Sequence, residues 1–194
     1  MKNKGIPSYK SDLEACIEVL RRGGLILYPT DTIWGIGCDA TNAAAVQRVY
    51  SLKKRDSGKP LIVLLDSVDH IDHYVVDVPP MALELIDVAV NPLTIIFEGA
   101  FNLAPALLGE RDSVGVRVTA DPFCRELCAR LGRPLVSTSA NVSGEPAPAC
   151  FAQVGAAIKR GVDYVVNYRQ DDVEAHTASN IILLRGDGTF KIIR

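Results

Sequence analysis

The stretch LILYPTDTIWGIGCDA, residues 25–40, sets the pattern that the rest of the chain repeats. Leu25, Ile26, Leu27 and Tyr28 form a continuous apolar run of strand length, and Pro29, which has no N–H to donate, stops the ladder. Beyond the strand end come the hydroxyls of Thr30 and Thr32 and the carboxylate of Asp31, then Trp34 and the glycines Gly35 and Gly37. A polar loop carried on a buried strand is where binding residues concentrate. Taken alone, the segment does not surpass the plainer reading of a strand closed by an Asx or Ser/Thr turn. Its weight comes from what recurs downstream.

Upstream, Ser11 and Glu14 have the spacing of a capping box, and Leu13, Ile17 and Leu20 mark the apolar stripe of a helix ending at Gly23-Gly24. Downstream, Thr41 or Asn42 caps a second helix with Val46, Val49, Tyr50 and Leu52 inward. It runs out in a basic knot, Lys53-Lys54-Arg55 and then Lys59, ahead of the apolar strand 61–65. Such cations form an anion site, or they are a solvated turn whose lysines favour the helix's C-terminal dipole; the pattern leaves both open. On an extended backbone Lys53 and Arg55 would project to one side.

Residues 66–90 read as mainly helical, with Pro79-Pro80 opening the second helix, and His70 and His73 as surface histidines on one face. Residues 92–97 read as a strand ended by Glu98-Gly99. Val114, Val116 and Val118 alternate with Ser113, Gly115, Arg117 and Thr119, the period of a half-buried strand with one polar face. Arg117 on that face is either paired with a carboxylate or free for an anion. Asp121-Pro122 starts a helix that Gly132 stops. Pro134-Leu135-Val136 is a short strand running into STSANVSG, residues 137–144, a second hydroxyl-rich loop. A helix over about 150–160, a strand at 164–167 and a hairpin pairing 179–184 with 189–194 around Gly186-Asp187-Gly188 complete the chain. Strands alternating with helices and closing in a hairpin predict a single α/β domain, its mixed parallel and antiparallel sheet flanked by helices.

A chain of 194 residues, 48% hydrophobic and 23% charged, suits one well-buried core better than two. The net charge of -2 argues against coating nucleic acid by bulk electrostatics but leaves room for a local basic cleft. The cysteines, Cys16, Cys38, Cys124, Cys128 and Cys150, form no CxxC and read as structural thiols in a reducing compartment. No apolar run is long enough to cross a bilayer and MKNKGIPSYK lacks a signal-peptide core, so a cytoplasmic protein with no membrane partner is expected. GxxxxGK[ST] and GxSxG are absent, and GIG at 35–37 is not a dinucleotide fingerprint. What remains are cations and hydroxyls suited to phosphates and a small zwitterion.

YPTDTIWGIGCDA, Lys53-Lys54-Arg55, the strand from Ser113 to Arg117, and Ser139-Ala140-Asn141 resemble, in order and spacing, the PTDT, KxR, VRxP-type and SxN elements of the YrdC/Sua5 family. That family comprises the threonylcarbamoyl-AMP synthases of tRNA modification. The resemblance runs over about 11–194 and implies the short YrdC-type form: an N-terminal extension, 1–10, and a YrdC-like catalytic domain, 11–194, with a twisted sheet and a concave positive cleft. The implied activity is that of a nucleotidyltransferase, joining L-threonine, bicarbonate and ATP into threonylcarbamoyl-AMP and pyrophosphate, the first step of threonylcarbamoyladenosine formation on tRNA.

The resemblance places ATP against Arg55, Lys59, Ser113, Ser139 and Arg194, and L-threonine against Thr30, Thr32, Arg117, Ser137 and Ser179. Lys53, Arg55, Ser139 and Asn141 are its implied catalytic set, with Mg2+ on the phosphates and no metal held by the protein. Its implied partners are downstream threonylcarbamoyl-transferase proteins and tRNA or double-stranded RNA. The chain departs from the family pattern at Leu64, where some members carry histidine, at Trp34 for tyrosine, at Ala147-Pro148-Ala149 for Ser-Pro-Thr, and at residues 179–183, SNIIL for Ser-Thr-Val-Val-Asp. One rival is a double-stranded RNA or tRNA binding module without chemistry, which the acidic balance and the two hydroxyl loops disfavour. Another is a carbamoyl-transfer enzyme serving metal-centre maturation, which would carry zinc-finger and acylphosphatase segments that this sequence lacks.

Overall fold

The structure, a computed structural model, describes residues 9–173, 176–185 and 189–194. The N-terminal extension up to residue 8 and the hairpin turn Gly186-Asp187-Gly188 lie outside the described residues. The first apolar stripe forms α1 (Lys10–Arg21), burying Leu13, Cys16, Ile17 and Leu20. The expected capping box does not form: the N-cap is Tyr9, which makes no side-chain cap bond, and Ser11 falls inside the first turn. Aromatic packing fixes the entry instead, the Tyr9 ring lying 5.5 Å from Phe123 and 5.1 Å from Tyr168.

The apolar run gives β1 (Ile26–Tyr28). Gly35 and Gly37, expected in a loop, belong to a strand, β2 (Gly35–Gly37), which pairs antiparallel with β1. Close packing explains them. A Cβ on Gly37 would lie 2.7 Å from Tyr28 Cε1 and 2.8 Å from the Val136 carbonyl oxygen, so only glycine lets the backbone approach. Gly37→Ala should cost about 1–3 kcal/mol through overpacking. Thermal denaturation should show a lower Tm by about 2–4 °C per kcal/mol in a domain of this size, and an unchanged Tm would contradict the contact.

Asn42 caps α2 (Ala43–Lys53), its side chain accepting from Ala45 N–H at 3.0 Å. The helix ends at Lys53 and turns through Lys54 in the left-handed region, so Lys53 and Arg55 straddle a helix terminus and the extended geometry anticipated for them does not occur. The chain continues through β3 (Ile62–Leu65), a 3-10 turn (Val68–His73), α3 (Pro80–Val88), β4 (Leu93–Phe97) and β5 (Val114–Val118). The strand β5 is buried on both faces through Arg117, more deeply than its alternating pattern foretold, because it lies between β3 and β4. The expected Asp-Pro start and Gly stop bound α4 (Pro122–Leu131), with Asp121 accepting from Cys124 N–H at 2.9 Å and Gly132 left-handed.

The strand β6 (Leu135–Ser139) is longer than expected, taking in Ser137, Thr138 and Ser139. Pairing on both sides keeps these hydroxyl residues extended, with Ser137 opposite Ile62 and Ser139 opposite Gly35. The helix expected near 150–160 divides at Gly155 into a 3-10 turn (Phe151–Gln153) and α5 (Ala156–Gly161). It leads to a short β7 (Tyr164–Val165), then β8 (Asn180–Leu184) and β9 (Phe190–Ile192), paired antiparallel as the hairpin predicted. Among the described residues these strands form a mixed sheet in the order β7-β1-β2-β6-β3-β5-β4-β8-β9, parallel at β7/β1, β3/β5 and β4/β8 and antiparallel elsewhere. No helix of the described residues is long and apolar enough to cross a membrane.

Candidate active site

The loop after β1, the loop before β3, the strands β5 and β6, and the two ends of the β8/β9 hairpin meet around a cleft of about 210 Å³. Thr32, Arg55, Arg117, Ser137, Ser139, Ser179 and Arg194 line it, against an apolar wall of Ile33, Leu61, Ile62 and Ile181. Three guanidinium groups and no side-chain carboxylate stand among the lining residues.

Arg117 is buried, 3% exposed, in β5. Its Nη1 donates to Thr32 Oγ1 at 3.2 Å, and its Nη2 lies 3.2 Å from Asp31 Oδ1. That last approach is an ion pair without hydrogen-bond geometry, and it leaves Nε, Nη2 and Asp31 Oδ1 buried with no hydrogen-bond partner. The other Asp31 oxygen accepts from Thr119 Oγ1 at 3.1 Å and Ala120 N–H at 3.3 Å. Both alternatives left open by the sequence therefore hold in part: a carboxylate balances the charge, and two donors are still unsatisfied.

Thr30 does not line the cleft. Its hydroxyl donates to the Ile33 carbonyl and accepts from Thr32 N–H, each at 2.9 Å, and it lies 2.9 Å from the Thr32 hydroxyl. Since each hydroxyl has one proton, Thr32 must donate to Thr30, which leaves its lone pairs facing Arg117. Thr30 thus shapes the loop that presents Thr32. Ser179 Oγ pairs with Thr94 Oγ1 at 2.8 Å, and Arg194 Nε donates to the Ser179 carbonyl at 3.0 Å.

On the opposite wall Arg55 Nε donates to the Lys59 carbonyl at 2.9 Å and Nη2 to the Pro60 carbonyl at 3.3 Å. Lys59 is exposed beside the lining Pro60, and its own side chain does not line the cleft. Ser113 also stands off the wall, its carbonyl accepting from Gly109 N–H at 2.8 Å. Lys53 is 1% exposed and lies behind the wall; its ammonium donates to the Ser139 carbonyl and, at 2.6 Å, to the Asn141 carbonyl. Burial, reinforced by the nearby Arg55 charge, lowers its pKa to about 8. Asn141 turns its amide N–H groups to the Val142 and Glu145 carbonyls at 3.0 and 2.7 Å, while its Oδ1 is buried without a partner.

The structure thus brings Thr32, Arg55, Arg117, Ser137, Ser139, Ser179 and Arg194 together. Lys53 and Asn141 sit directly behind them, and Lys59, Ser113 and Thr30 stand to the side. Missed from the sequence were the apolar wall, which carries no chemical signal, and Asp31 as the partner of Arg117. A buried arginine in need of an anion, and a carboxylate between two site threonines, were the clue to that pair. The histidines expected at the surface pair locally, His70 Nδ1 lying 2.9 Å from Asp66 Oδ1, away from the cleft lining.

The family model described as "Sua5_yciO_yrdC: Telomere recombination" matches residues 18–194. Similar proteins include the threonylcarbamoyl-AMP synthase of Chromohalobacter salexigens, 38% identical over 147 residues that make up 75% of this chain and 80% of that protein. The threonylcarbamoyl-AMP synthase of Stutzerimonas stutzeri is 39% identical over 150 residues, 77% of this chain and 80% of its own length. The structure of P. abyssi Sua5 complexed with L-threonine superposes with a TM-score of 0.84 at 24% identity, covering 95% of this chain, which in turn spans 54% of that longer one. E. coli YciO superposes with a TM-score of 0.82 at 24% identity, over 97% of this chain and 90% of that one. At these identities the superpositions speak for the fold, and the sequence matches speak for descent. The chain belongs to the Sua5/YciO/YrdC family.

Proposed function

We propose that this protein makes L-threonylcarbamoyl-AMP and pyrophosphate from L-threonine, bicarbonate and ATP. Arg117 carries the reading. A buried guanidinium that reaches the cleft wall, its Nε and Nη2 without hydrogen-bond partners and its Nη2 met by Asp31 only as an ion pair, has capacity left for a substrate carboxylate. Thr32, Ser137 and Ser179 supply hydroxyls around the same amino acid. Arg55, Arg194 and Ser139 face the phosphates, with Lys59 at their outer edge. Lys53 and Asn141 hold the chain that carries Ser139. Ser113, off the wall, receives no role.

The threonine ammonium first gives its proton to water; the free amine captures bicarbonate as a carbamate, with loss of water, and a carbamate oxygen then attacks the α-phosphorus of ATP, expelling pyrophosphate. The attacking group is already an anion, so no general base is needed. Fixed guanidinium groups stabilise the charge gathering on the phosphate oxygens. Magnesium enters with the nucleotide as part of the substrate, bound to its phosphates. The product is a mixed anhydride that water destroys, which calls for rapid hand-over to a threonylcarbamoyl-transferase acting on tRNA.

Pyrophosphate release measured with ATP in the presence and absence of the other substrates tests the reading. Release should require both L-threonine and bicarbonate. Equal release with either one omitted, or binding of double-stranded RNA with no turnover, would overturn it.

A further inference from the structure

We propose that Arg169 is a positioning residue for the amino-acid half of the cleft, an inference that rests on the synthase reading above. Arg169 lies in the connection between β7 and β8 and does not line the cleft. Its φ of 65° is in the left-handed region, uncommon for a residue with a Cβ.

Its guanidinium is engaged on several sides. Nη1 donates to the Thr30 carbonyl at 3.2 Å and to Asp121 Oδ2 at 3.0 Å. Nε and Nη2 each reach Asp172 Oδ2 at 3.3 Å, and Nη2 lies 3.3 Å from His176 Nε2. A single side chain therefore ties together three stretches of chain. One is the loop after β1, whose Thr32 contacts Arg117. Another is the N-terminus of α4, where the other Asp121 oxygen caps the helix. The third is the connection itself, which ends in the lining residues Ala178 and Ser179. Thr32 and Ser179 both line the cleft, and Arg169 links the segments that carry them. Arg55 and the phosphate wall receive none of its bonds.

Arg169→Gly tests this, because glycine removes the guanidinium and accepts the left-handed backbone without strain. Steady-state pyrophosphate release should show the apparent KM for L-threonine raised by about ten- to a hundredfold, as expected when a binding segment shifts by a fraction of an ångström to an ångström. The KM for ATP should stay within about twofold, a split that a general loss of structure would not give. Arg169→Lys, which keeps the charge and reaches fewer partners, should fall between the two; it carries the same measurement if the glycine variant does not fold. Calorimetric titration of L-threonine into each protein gives a second reading that does not depend on turnover.

An unchanged threonine KM in Arg169→Gly, or equal rises for threonine and ATP, overturns the proposal while leaving the synthase reading intact. Threonine binding that weakens in the variant, in a protein that releases no pyrophosphate, would support the positioning role and refute the synthase. Absence of threonine binding to the unaltered protein overturns both.

Discussion

Replacing Arg117 by lysine should raise the apparent KM for L-threonine by about ten- to a hundredfold while leaving that for ATP close to its starting value, since a hydrogen bond to a charged group contributes about 1.5–3 kcal/mol. Lysine keeps the positive charge beside Asp31 and fills most of the volume, yet it has no planar fork and meets a carboxylate through one point. Arg117→Ala is the harsher change. It strands the half-buried Asp31 carboxylate, and removing one partner of a buried ion pair costs up to about 3–5 kcal/mol of stability, so lost activity would be mixed with lost fold. Steady-state kinetics with each substrate varied in turn would decide the matter for the lysine variant. Equal effects on both constants would remove Arg117 from the threonine site.

Lys53→Met should depress turnover by about a hundredfold or more, the scale of a misplaced catalytic wall. The ammonium holds the Ser139 and Asn141 carbonyls together; without it the Ser139 carbonyl keeps only the Asn141 N–H at 2.9 Å and the part-buried Asn141 carbonyl loses its donor, at about 1–3 kcal/mol. A pH profile gives the sharper signature. With its pKa lowered to about 8, Lys53 begins to lose its proton just above neutrality, so turnover should fall on the alkaline side with an apparent pKa near that value. Stability should move the other way. Below about 8 the folded and unfolded chains both carry the proton, and the folded one bears the cost of a buried charge. Between about 8 and 10.5 the unfolded chain holds more protons than the folded one, so this group's contribution to stability grows with pH. Falling rate with an undiminished Tm would single out Lys53, and Lys53→Met should lose that alkaline limb. A rate that stays flat in the unaltered protein across about pH 7 to 9 would remove the ammonium from the mechanism.

Much of this arrangement was legible in the sequence wherever one local rule sufficed. The Asp121-Pro122 start and Gly132 stop of α4 depend on capping and backbone angles alone, and both are realised. The capping box at Ser11 failed because aromatic packing of Tyr9 against Phe123 and Tyr168, a contact between distant segments, fixed the helix entry. Gly35-Ile36-Gly37 looked like a loop because its signal as a strand lies in its neighbours: the Tyr28 ring and the Val136 carbonyl leave room only for glycine.

The same division runs through the site. Hydroxyls at strand ends and a cation within a strand singled out Thr32, Arg117, Ser137 and Ser139, because chemistry is written in residue type, whereas Ser179 was named only by the family resemblance. Whether a cation faces the cleft or stands behind it is settled by backbone direction at one turn. Lys54 in the left-handed region ends α2 and sends Lys53 inward to two carbonyls while Arg55 meets the open space. No spacing rule along the chain reports that turn.

The cleft joins residues encoded far apart: Thr32 and Arg55 come early, Ser179, Ile181 and Arg194 come last, and β8 lies parallel to β4, so no hairpin could deliver it locally. On the ribosome, a polypeptide that has emerged only as far as β7 lacks the side of the cleft formed by Ala178, Ser179, Ile181 and Arg194. A ligand of the finished cleft stabilises completed molecules by mass action and gives less to a chain that still lacks one side of it. Early folding must therefore be driven by burial of the strands and helices already synthesised.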